Sequence, residues 1–454
     1  MLGTLWKTAS VITLLTGAAS AIDLDIKDDK SIKSAAHTAA YGAMSYYTGN
    51  LTGHIPGAFP TKWWEGSILF NTMIHYWYLT GDDSNNPAVI QGMNWQSGDN
   101  NDYMTANYSS YIGNDDQSFW GLAAMTAAEF GLPQMSTEVS WASKAVAVFN
   151  SQASRWDDST CGGGLRWQIY TYEAGYGIKN AMSNGEFFEL AARLARYTGN
   201  TTYSNWAEKI WDWSSSVPLL NNETWIISDS MSAENHCATS DNVQWSINYG
   251  AYVTGAAYMY NLTNGASKWK SGVDGLLNTS LTNFFPAQYG GDIMSEYECE
   301  EKELCNNSEI LFKGIFVRDL ALVSTVAPYT MDDILPRLQG SASAAAEACT
   351  GESNDTCGVR WYSEKYDGEK GMEEQLSAAS VFTANLVAFD RSDLATQAGG
   401  TNATSATTNT TDTRASGTQA ASSASGTSAN GASVLVGGPL AVTAAVLAGM
   451  MATF

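Results

Sequence analysis

The apolar residues of the chain recur mostly at three- and four-residue steps, which is the spacing of one buried face of an α-helix. In residues 27–48, for example, Ile32, Ala36, Ala39 and Ala43 follow this spacing. Runs of valine and isoleucine that alternate with polar residues are nearly absent, so a sheet is not the expected scaffold. The pattern predicts about twelve helices, with the clearest segments at 27–48, 64–79, 116–130, 136–154, 180–197, 203–213, 242–260, 266–280, 308–326, 328–348 and 371–389.

A similar glycine-containing ending follows several of these segments. It reads "YYTGN" at 46–50, "YLTGD" at 78–82, "RYTGN" at 196–200 and, more loosely, "YNLTNG" at 260–265. Glycine is common where a helix ends in the left-handed conformation, so we expect the first helix to stop at Gly49. The recurring ending is a weak repeat signature. It predicts an all-α toroid of helical hairpins, with an active cleft where helix ends converge.

The beginning of the chain predicts a secretory signal peptide over residues 1–21. Lys7 provides a positive start, "ASVITLLTGA" is a short apolar run, and Ala19-Ser20-Ala21 fits cleavage between small residues. No linker-like tract interrupts residues 22–390, which we interpret as one catalytic domain.

The end of the chain predicts a stalk and a lipid-anchor signal. Residues 391–430 consist largely of Ser, Thr, Ala and Gly, a composition that does not bury enough apolar surface to fold. Residues 431–454 form an uncharged apolar tail, so we predict a GPI signal with attachment at Asn430 and Ser425 as the second choice. The alternative is a tail-anchored transmembrane helix. The predicted location is the outside of the cell, GPI-anchored at the plasma membrane, the cell wall or both.

The cysteines and the glycosylation sequons agree with export. The short spacings favour disulfides Cys299–Cys305 and Cys349–Cys357, leaving Cys161–Cys237, although the sequence leaves other connectivities open. Sequons of the form Asn-X-Ser/Thr occur along most of the chain, at Asn50, Asn107, Asn200, Asn222, Asn261, Asn278, Asn306, Asn354, Asn402 and Asn409.

Charge and motifs exclude several classes of function. A net charge of −23 argues against nucleic acid or anionic lipid as a partner. The four histidines form no HExxH motif or close pair, so we expect no catalytic metal and no cofactor. A GxSxG elbow and a P-loop are also missing from the sequence.

Aromatic residues favour a carbohydrate ligand. The chain has 16 Trp, 22 Tyr and 14 Phe, and several stand beside amides and acids in "KWWEGS", "LRWQIYTYEAGYG" and "DNVQWSINYG". Flat rings pack against sugar faces while amides and acids bind hydroxyl groups. Any single ring is more often part of the core. From these motifs we select Trp64, Trp167, Gln168 and Tyr249 as candidate sugar contacts.

Two adjacent acids, Asp115 and Asp116, precede the apolar segment "FWGLAAMTAAEF". One interpretation is a helix N-terminus, where acids interact favourably with the helix dipole. The other is a catalytic pair, because glycoside cleavage needs one ionised and one protonated carboxyl group. Asp332-Asp333 is a competitor on position alone, but the aromatic neighbours of Asp115-Asp116 favour the latter as the catalytic pair.

Four ordered motifs then carry a family resemblance. "GNDDQSFWGLAAMTAAE", "GGLRWQ", "KNAMSNGEFFELAARLARYTGN" and "FKGIFVRDL" resemble glycoside hydrolase family 76, the endo-α-1,6-mannanases, over about residues 25–390. The resemblance implies an (α/α)6 barrel, a retaining mechanism, Asp115 as nucleophile and Asp116 as general acid/base. It also places five residues in motifs near the sugar subsites: Trp167, Gln168, Asn180, Asn184 and Lys313. For each of them a structural role fits the resemblance as well as direct contact with the sugar does.

For the fungal, cell-wall branch, the resemblance further implies transglycosylation. The expected donor is an α-1,6-mannan or a GPI-core glycan, and the expected acceptor is water or β-glucan. We expect a monomer that reaches the membrane through a GPI lipid. The alternatives are a barrel glycosidase or lyase for another wall polysaccharide, and a non-catalytic protein that binds wall glycan.

Overall fold

A computed structural model describes residues 22–59, 62–351, 355–390 and 392–397 of the chain. These residues form twelve α-helices and one small antiparallel sheet. The helices are α1 (Asp29–Met44), α2 (Trp63–Thr80), α3 (Asn86–Gln96), α4 (Asn114–Glu129), α5 (Trp141–Ala153), α6 (Ala181–Thr198), α7 (Thr201–Ser216), α8 (Ser246–Leu262), α9 (Ser267–Phe284), α10 (Asn307–Val326), α11 (Met331–Ala348) and α12 (Met372–Ala384). The sheet pairs β1 (Ile178–Asn180) with β2 (Ser230–Ser232).

The even-numbered helices form a closed inner ring. Each of them packs on the next even-numbered helix along the chain, and α12 packs on α2 to close the ring. Each odd-numbered helix packs on one or both of the inner helices that neighbour it in the chain order. Two concentric rings of six helices make an (α/α)6 barrel, so the predicted toroid of helical hairpins is confirmed.

Burial explains which helices lie inside. In α4 every residue except Asp116 and Ala128 is buried, so no face of this helix is left for water. In α1 the buried residues recur at three- and four-residue steps from Ile32 to Ala43, and the opposite face is exposed. A helix that is buried all round belongs in the interior, whereas an amphipathic helix covers it from outside.

A buried ion pair network links three inner helices. The Arg193 guanidinium of α6 donates to Glu129 of α4 at 2.7 Å and to Glu189 at 2.9 Å. The Tyr258 hydroxyl of α8 donates to Glu129 at 2.9 Å. Arg193 is only 2% exposed. Removing one partner from such a network leaves a buried charge uncompensated, so the network fixes how the three helices pack.

The predicted glycine endings are partly right. Gly81 and Gly199 end α2 and α6 in the left-handed conformation, with φ of 82° and 67°. The expectation for Gly49 is wrong, because α1 ends at Met44. The chain turns there so that Tyr47 enters the core, where its hydroxyl accepts the Gly57 N–H at 2.8 Å.

The sequence pattern does not predict α3, although this helix packs on α2. Pro87 and Gly92 weaken its helical pattern, since both have poor helix propensity. Pro87 is tolerated in the first turn, where no backbone N–H is needed. Gly92 lies against the Phe70 ring of α2, and a Cβ atom at this position would lie 2.5 Å from that ring. The glycine that weakens the pattern is therefore required by the packing.

Three disulfides connect the described loops. They join Cys161 to Cys237, Cys299 to Cys305 and Cys349 to Cys357, which is the pairing favoured by the spacing. The long-range Cys161–Cys237 bridge links the segment between α5 and β1 to the segment that follows β2.

Packing on the barrel continues beyond the predicted domain end at Asp390. Leu394 is buried, the Ala395 N–H donates to the carbonyl of Glu129 at 3.0 Å, and the Gln397 N–H donates to the carbonyl of Tyr197 at 2.8 Å. The first described residues of the predicted stalk therefore contact α4 and α6.

The predicted signal peptide 1–21, the anchor site Asn430 and the tail 431–454 lie outside the described residues and stay predictions. Of the helices that the structure describes, none combines the length and the apolar composition that crossing a bilayer requires.

Candidate functional site

A cleft of about 610 Å³ opens where the N-termini of inner helices α2, α4, α6 and α10 converge. Such N-termini carry partial positive charge, which suits anions and hydroxyl oxygens. The cleft is lined by Phe59, Lys62, Trp63, Trp64, Tyr108, Tyr111, Ile112, Asp115, Asp116, Phe119, Trp167, Gln168, Met182, Ser308 and Phe312.

Asp115 and Asp116 lie in the first turn of α4 and face this cleft. The Gly113 N–H donates to Oδ2 of Asp116 at 2.7 Å, and the Asp116 N–H donates to Oδ1 of Asp115 at 3.0 Å. The pair thus satisfies backbone donors at the helix start, as the capping interpretation requires. It also lines a cleft, so the catalytic interpretation is compatible with the capping one.

Close packing at Gly113 brings the pair next to the loop of residues 165–177. A Cβ atom at Gly113 would lie 2.3 Å from Oδ1 of Asp115 and 3.1 Å from the Trp167 carbonyl oxygen. The Asn114 N–H donates to that same carbonyl at 2.9 Å, and the Asn114 side chain donates to the Arg166 carbonyl at 2.8 Å. The start of α4 therefore holds the 165–177 loop against the cleft.

Burial raises the pKa of both acids. The pKa of Asp115, which is 7% exposed, is raised well above its usual range by burial and by the charge of Asp116. Burial raises the pKa of Asp116 to about 6, opposed by the Gly113 N–H and the charge of Lys62. The two groups interact, so their protons belong to the pair, and one carboxyl group stays protonated over the mildly acidic range.

A third carboxyl group lies behind the pair. Glu186 of α6 is buried, and its Oε2 has no hydrogen-bond partner within the part of the chain that the structure describes. Burial and the charge of Asp115 raise the pKa of Glu186 well above its usual range. A neutral Glu186 adds no further negative charge to the pair.

Stacked rings form one wall of the cleft. Trp64 stacks on Phe119 with ring centroids 4.9 Å apart, and Trp63 stacks on Tyr108 at 5.5 Å. Tyr108 meets Tyr111 edge to face at 6.2 Å. The exposed part of this wall offers flat apolar surface beside the two acids, an arrangement suited to a pyranose ring.

Four of the predicted sugar contacts lie at or beside the cleft. Trp64, Trp167 and Gln168 line it. Gln168 Oε1 lacks a hydrogen-bond partner within the described ranges, so this acceptor is not committed elsewhere. Asn180 precedes α6, where its side chain accepts the Ser183 N–H and hydrogen-bonds to Asp115. It therefore orients an acid of the pair.

The other three predicted contacts are corrected, because their side chains are buried and bonded elsewhere. The Asn184 side chain donates to the Leu165 carbonyl at 3.0 Å and holds the start of the 165–177 loop. The Tyr249 hydroxyl accepts the Ile227 N–H at 3.2 Å. Lys313 forms a buried ion pair with Glu300 at 2.6 Å. These three residues therefore stabilise the fold next to the site.

Lys62, Tyr108 and Ser308 are cleft residues that sequence reasoning missed. Lys62 directly precedes Trp63-Trp64, and its Nζ donates to Ser308 Oγ at 2.5 Å across the cleft. The only sequence signal was a lone cation in front of the aromatic motif. Ser308, at the start of α10, has no distinguishing pattern around it.

Comparison with known proteins gives a consistent result. The chain matches the model of Glycosyl hydrolase family 76 over residues 31–398. Mannan endo-1,6-alpha-mannosidase DCW1 of Saccharomyces cerevisiae is 41% identical over 386 residues, which cover 84% of this chain and 84% of the relative. Mannan endo-1,6-alpha-mannosidase DFG5 of Candida albicans is 39% identical over 406 residues, which cover 87% of this chain and 88% of the relative.

Solved structures are also similar to this chain. Dfg5 from Chaetomium thermophilum, in complex with glucosamine, has a TM-score of 0.79 and 39% identity, covering 83% of this chain and 95% of its own. The alpha-1,6-mannanase GH76A of Salegentibacter sp. HEL1_6 has a TM-score of 0.63 and 17% identity, covering 78% of this chain and 99% of its own. That structure is an inactive variant, with two consecutive aspartates replaced by asparagine, in complex with alpha-1,6-mannotriose. At this identity the likeness establishes the fold.

The raised pKa of Asp115 predicts that the protein gains stability when this carboxyl group is replaced. The pKa of Asp115 in the folded protein lies above the value of about 3.9 in the unfolded chain. The wild-type protein therefore loses stability as the pH rises from about 3.9 through the folded-state pKa. Asn is neutral throughout, so Asp115→Asn should have a higher Tm than the wild type at pH 7. The difference should shrink towards pH 4. Thermal unfolding measured across this range tests it.

Asp332→Asn is the matched control, since Asp332 is an exposed acid in the first turn of α11, also followed by another Asp. It should lower stability slightly, by about 0.3–1 kcal/mol, because it removes a charge that favours the helix start. If Asp115→Asn also lowered the Tm at pH 7, the result would contradict the conclusion that burial opposes ionisation of Asp115.

Proposed function

Because the chain belongs to Glycosyl hydrolase family 76, we propose that it cleaves α-1,6-linked mannosides within the glycan chain, with retention of configuration, in the cleft around Asp115 and Asp116. The chain is a glycoside hydrolase of the mannan endo-1,6-alpha-mannosidase type. The proposal adds the residues, the stereochemistry, the natural substrate and the cellular setting.

One observation carries the mechanistic part of the proposal: two interacting carboxyl groups with raised pKa lie in one aromatic-walled cleft. Retaining glycosidases need a carboxylate that attacks the sugar and a carboxylic acid that protonates the leaving oxygen. A pair that shares one proton supplies both forms at once. A retaining mechanism also requires the two carboxyl groups to lie about 5–5.5 Å apart.

The proposed reaction has two steps. The Asp115 carboxylate attacks the anomeric carbon of a mannosyl unit, while Asp116 gives its proton to the O6 oxygen of the leaving sugar. The C1–O6 bond breaks and a mannosyl ester forms on Asp115. Asp116, now ionised, takes a proton from an incoming hydroxyl group, whose oxygen displaces Asp115 and restores the original configuration.

The order of these roles follows the family resemblance. In the free cleft the Gly113 N–H and the charge of Lys62 favour the anion on Asp116, whereas burial and the charge of Asp116 oppose ionisation of Asp115. Attack by Asp115 therefore needs the shared proton on Asp116. This transfer within the pair changes no net charge, and the Asn180 hydrogen bond supports the resulting Asp115 anion.

The substrate class is supported by relatives. Two fungal relatives with about 40% identity are named mannan endo-1,6-alpha-mannosidases. The bacterial GH76A structure holds alpha-1,6-mannotriose, and the Chaetomium Dfg5 structure holds glucosamine. Both ligands are built from pyranose rings, which suits a cleft walled by Trp64 and Phe119.

The proposed setting is the cell surface. We infer a GPI-anchored protein that passes the mannose part of a GPI-core glycan to wall β-glucan, with water as the competing acceptor. The predicted signal peptide, the Ser/Thr-rich segment and the apolar tail support this setting, as do three disulfides and the widespread sequons.

Replacing either acid should strongly reduce turnover without preventing binding. We expect Asp116→Asn to lower kcat/KM on α-1,6-mannotriose by about 10²–10⁴-fold, the usual worth of a positioned catalytic acid or base, and Asp115→Asn, which removes the nucleophile, to lower it at least as much. Isothermal titration calorimetry should still detect binding of the trisaccharide to both variants. Asp332→Asn, in the exposed pair on α11, should keep wild-type turnover. Normal turnover in either cleft variant would remove the pair from the chemistry and favour a protein that only binds glycan.

Trapping the intermediate separates the roles of the two acids. A 2-deoxy-2-fluoro mannoside with an activated leaving group slows release of the glycosyl-enzyme, and peptide mass spectrometry then locates the ester. The proposal expects the adduct on Asp115. An adduct on Asp116 would reverse the two roles, in agreement with the electrostatics of the free cleft.

The shared proton predicts a bell-shaped pH–rate profile. The pair loses its first proton as the pH passes the Asp116 pKa of about 6, which produces the singly protonated form that reacts. For an oligomannoside, kcat/KM should therefore rise through about pH 6 and fall at higher pH, where the second proton leaves. For a dinitrophenyl mannoside, whose leaving group needs no proton, the fall at high pH should be absent while glycosylation limits the rate. The same alkaline fall with both substrates would assign it to another group.

Transfer and stereochemistry test the natural reaction. With an oligomannoside donor and a β-glucan oligosaccharide acceptor, mass spectrometry should detect a mixed product that Asp115→Asn does not form. Proton NMR of the first hydrolysis product should show the α anomer. A β anomer at early times would contradict retention, and hydrolysis without any mixed product would make water the only acceptor.

A further inference from the structure

We propose that the stacked pair Tyr170 and Tyr172 is an outer sugar-binding platform at the rim of the cleft, which receives a unit of the mannoside chain remote from the bond that is cut. This inference rests on the proposed function and adds a specificity determinant to it. The two rings lie 5.3 Å apart with an interplanar angle of 5°, so they form one parallel stack.

Tyr172 keeps much of its ring in water. The residue is 68% exposed, and one face of its ring is covered by Tyr170. A large aromatic surface left in water gives up the apolar burial that normally stabilises such a residue. The free face is therefore available for a flat apolar partner, such as a face of a pyranose ring.

The platform is held rigidly, as a preorganised binding surface should be. The Tyr172 hydroxyl donates to the Ser110 carbonyl at 2.7 Å, which joins the 165–177 loop to the segment before α4. Further along the loop, Gly175 packs so closely on the Trp167 indole that a Cβ atom would lie 2.4 Å from it. The Ile178 N–H closes this part of the loop onto the Gly175 carbonyl at 2.9 Å.

The platform also continues the cleft. Trp167 and Gln168 line the cleft and lie two to five residues before the stack in the same loop. On the other side, Ser110 is followed by Tyr111, a cleft residue that is 52% exposed. A chain that leaves the catalytic pair past Tyr111 and Trp167 thus meets Tyr172 next. Binding energy from such a remote unit favours long substrates over short ones.

The test compares substrates of different length. For Tyr172→Ala we expect kcat/KM on α-1,6-mannohexaose to fall about tenfold, which corresponds to about 1.4 kcal/mol. Turnover of an activated aryl mannobioside should stay at the wild-type level. Tyr172→Phe keeps the ring and should retain most of the preference for the long substrate, which separates stacking from the hydrogen bond to Ser110. Because Asn107 belongs to a sequon near Ser110, the enzyme is first treated to remove N-glycans.

Tyr41→Ala is the matched control, since Tyr41 is a 73% exposed tyrosine on α1 of the outer ring. It should change neither substrate. An equal loss on short and long substrates in Tyr172→Ala would mean that the change only loosens the loop that carries Trp167, and would overturn the platform. An unchanged length preference would overturn it as well. Hydrolysis of mannotriose by the wild-type enzyme tests the proposed function independently of either result.

Discussion

Keeping two neighbouring carboxyl groups out of water is the constraint on which the site depends. Burial opposes the ionisation of Asp115 and Asp116, and each charge opposes the other. The structure offsets this with backbone donors at the start of α4, an amide from Asn180 and the charge of Lys62. These supports leave the pair short of full ionisation. The exposed pair Asp332-Asp333, in contrast, stays in contact with water.

The barrel explains how such a pair is held in place. Six inner helices surround a common interior, and the N-termini of four of them meet at the cleft. Each contributes a different part: α2 brings the tryptophans, with Lys62 directly before it, α4 brings the acids, and α10 brings Ser308. Asn180 directly precedes α6. The buried Arg193 network then fixes α4 against α6 and α8. Small displacements between these helices would change the distances from the pair to its supports Asn180 and Lys62.

Local sequence patterns predicted what depends on local structure. Helix α4 was predicted because apolar residues fill all its sides, and Asp115-Asp116 were singled out because aromatic residues flank them. The prediction fails where contacts with other segments of the chain determine the structure or the role of a residue. Gly92 weakens the pattern of α3, yet Phe70 of a neighbouring helix requires it. Lys313 and Tyr249 have the residue types of sugar ligands, but they are bonded to Glu300 and Ile227 in the segments that precede their helices.

The Cys161–Cys237 bridge adds a covalent restraint next to the cleft. It ties down the segment that leads into the 165–177 loop, which contributes Trp167 and Gln168 to the cleft and Tyr172 to its rim. The inner helices, in contrast, are joined to one another by apolar packing and the Arg193 network. Without the disulfide the 165–177 loop would keep its hydrogen bonds to Asn114 and Asn184 but lose its covalent restraint, so this wall of the cleft would be held less tightly. The redox state of the surroundings therefore affects this wall of the cleft more than the helical ring.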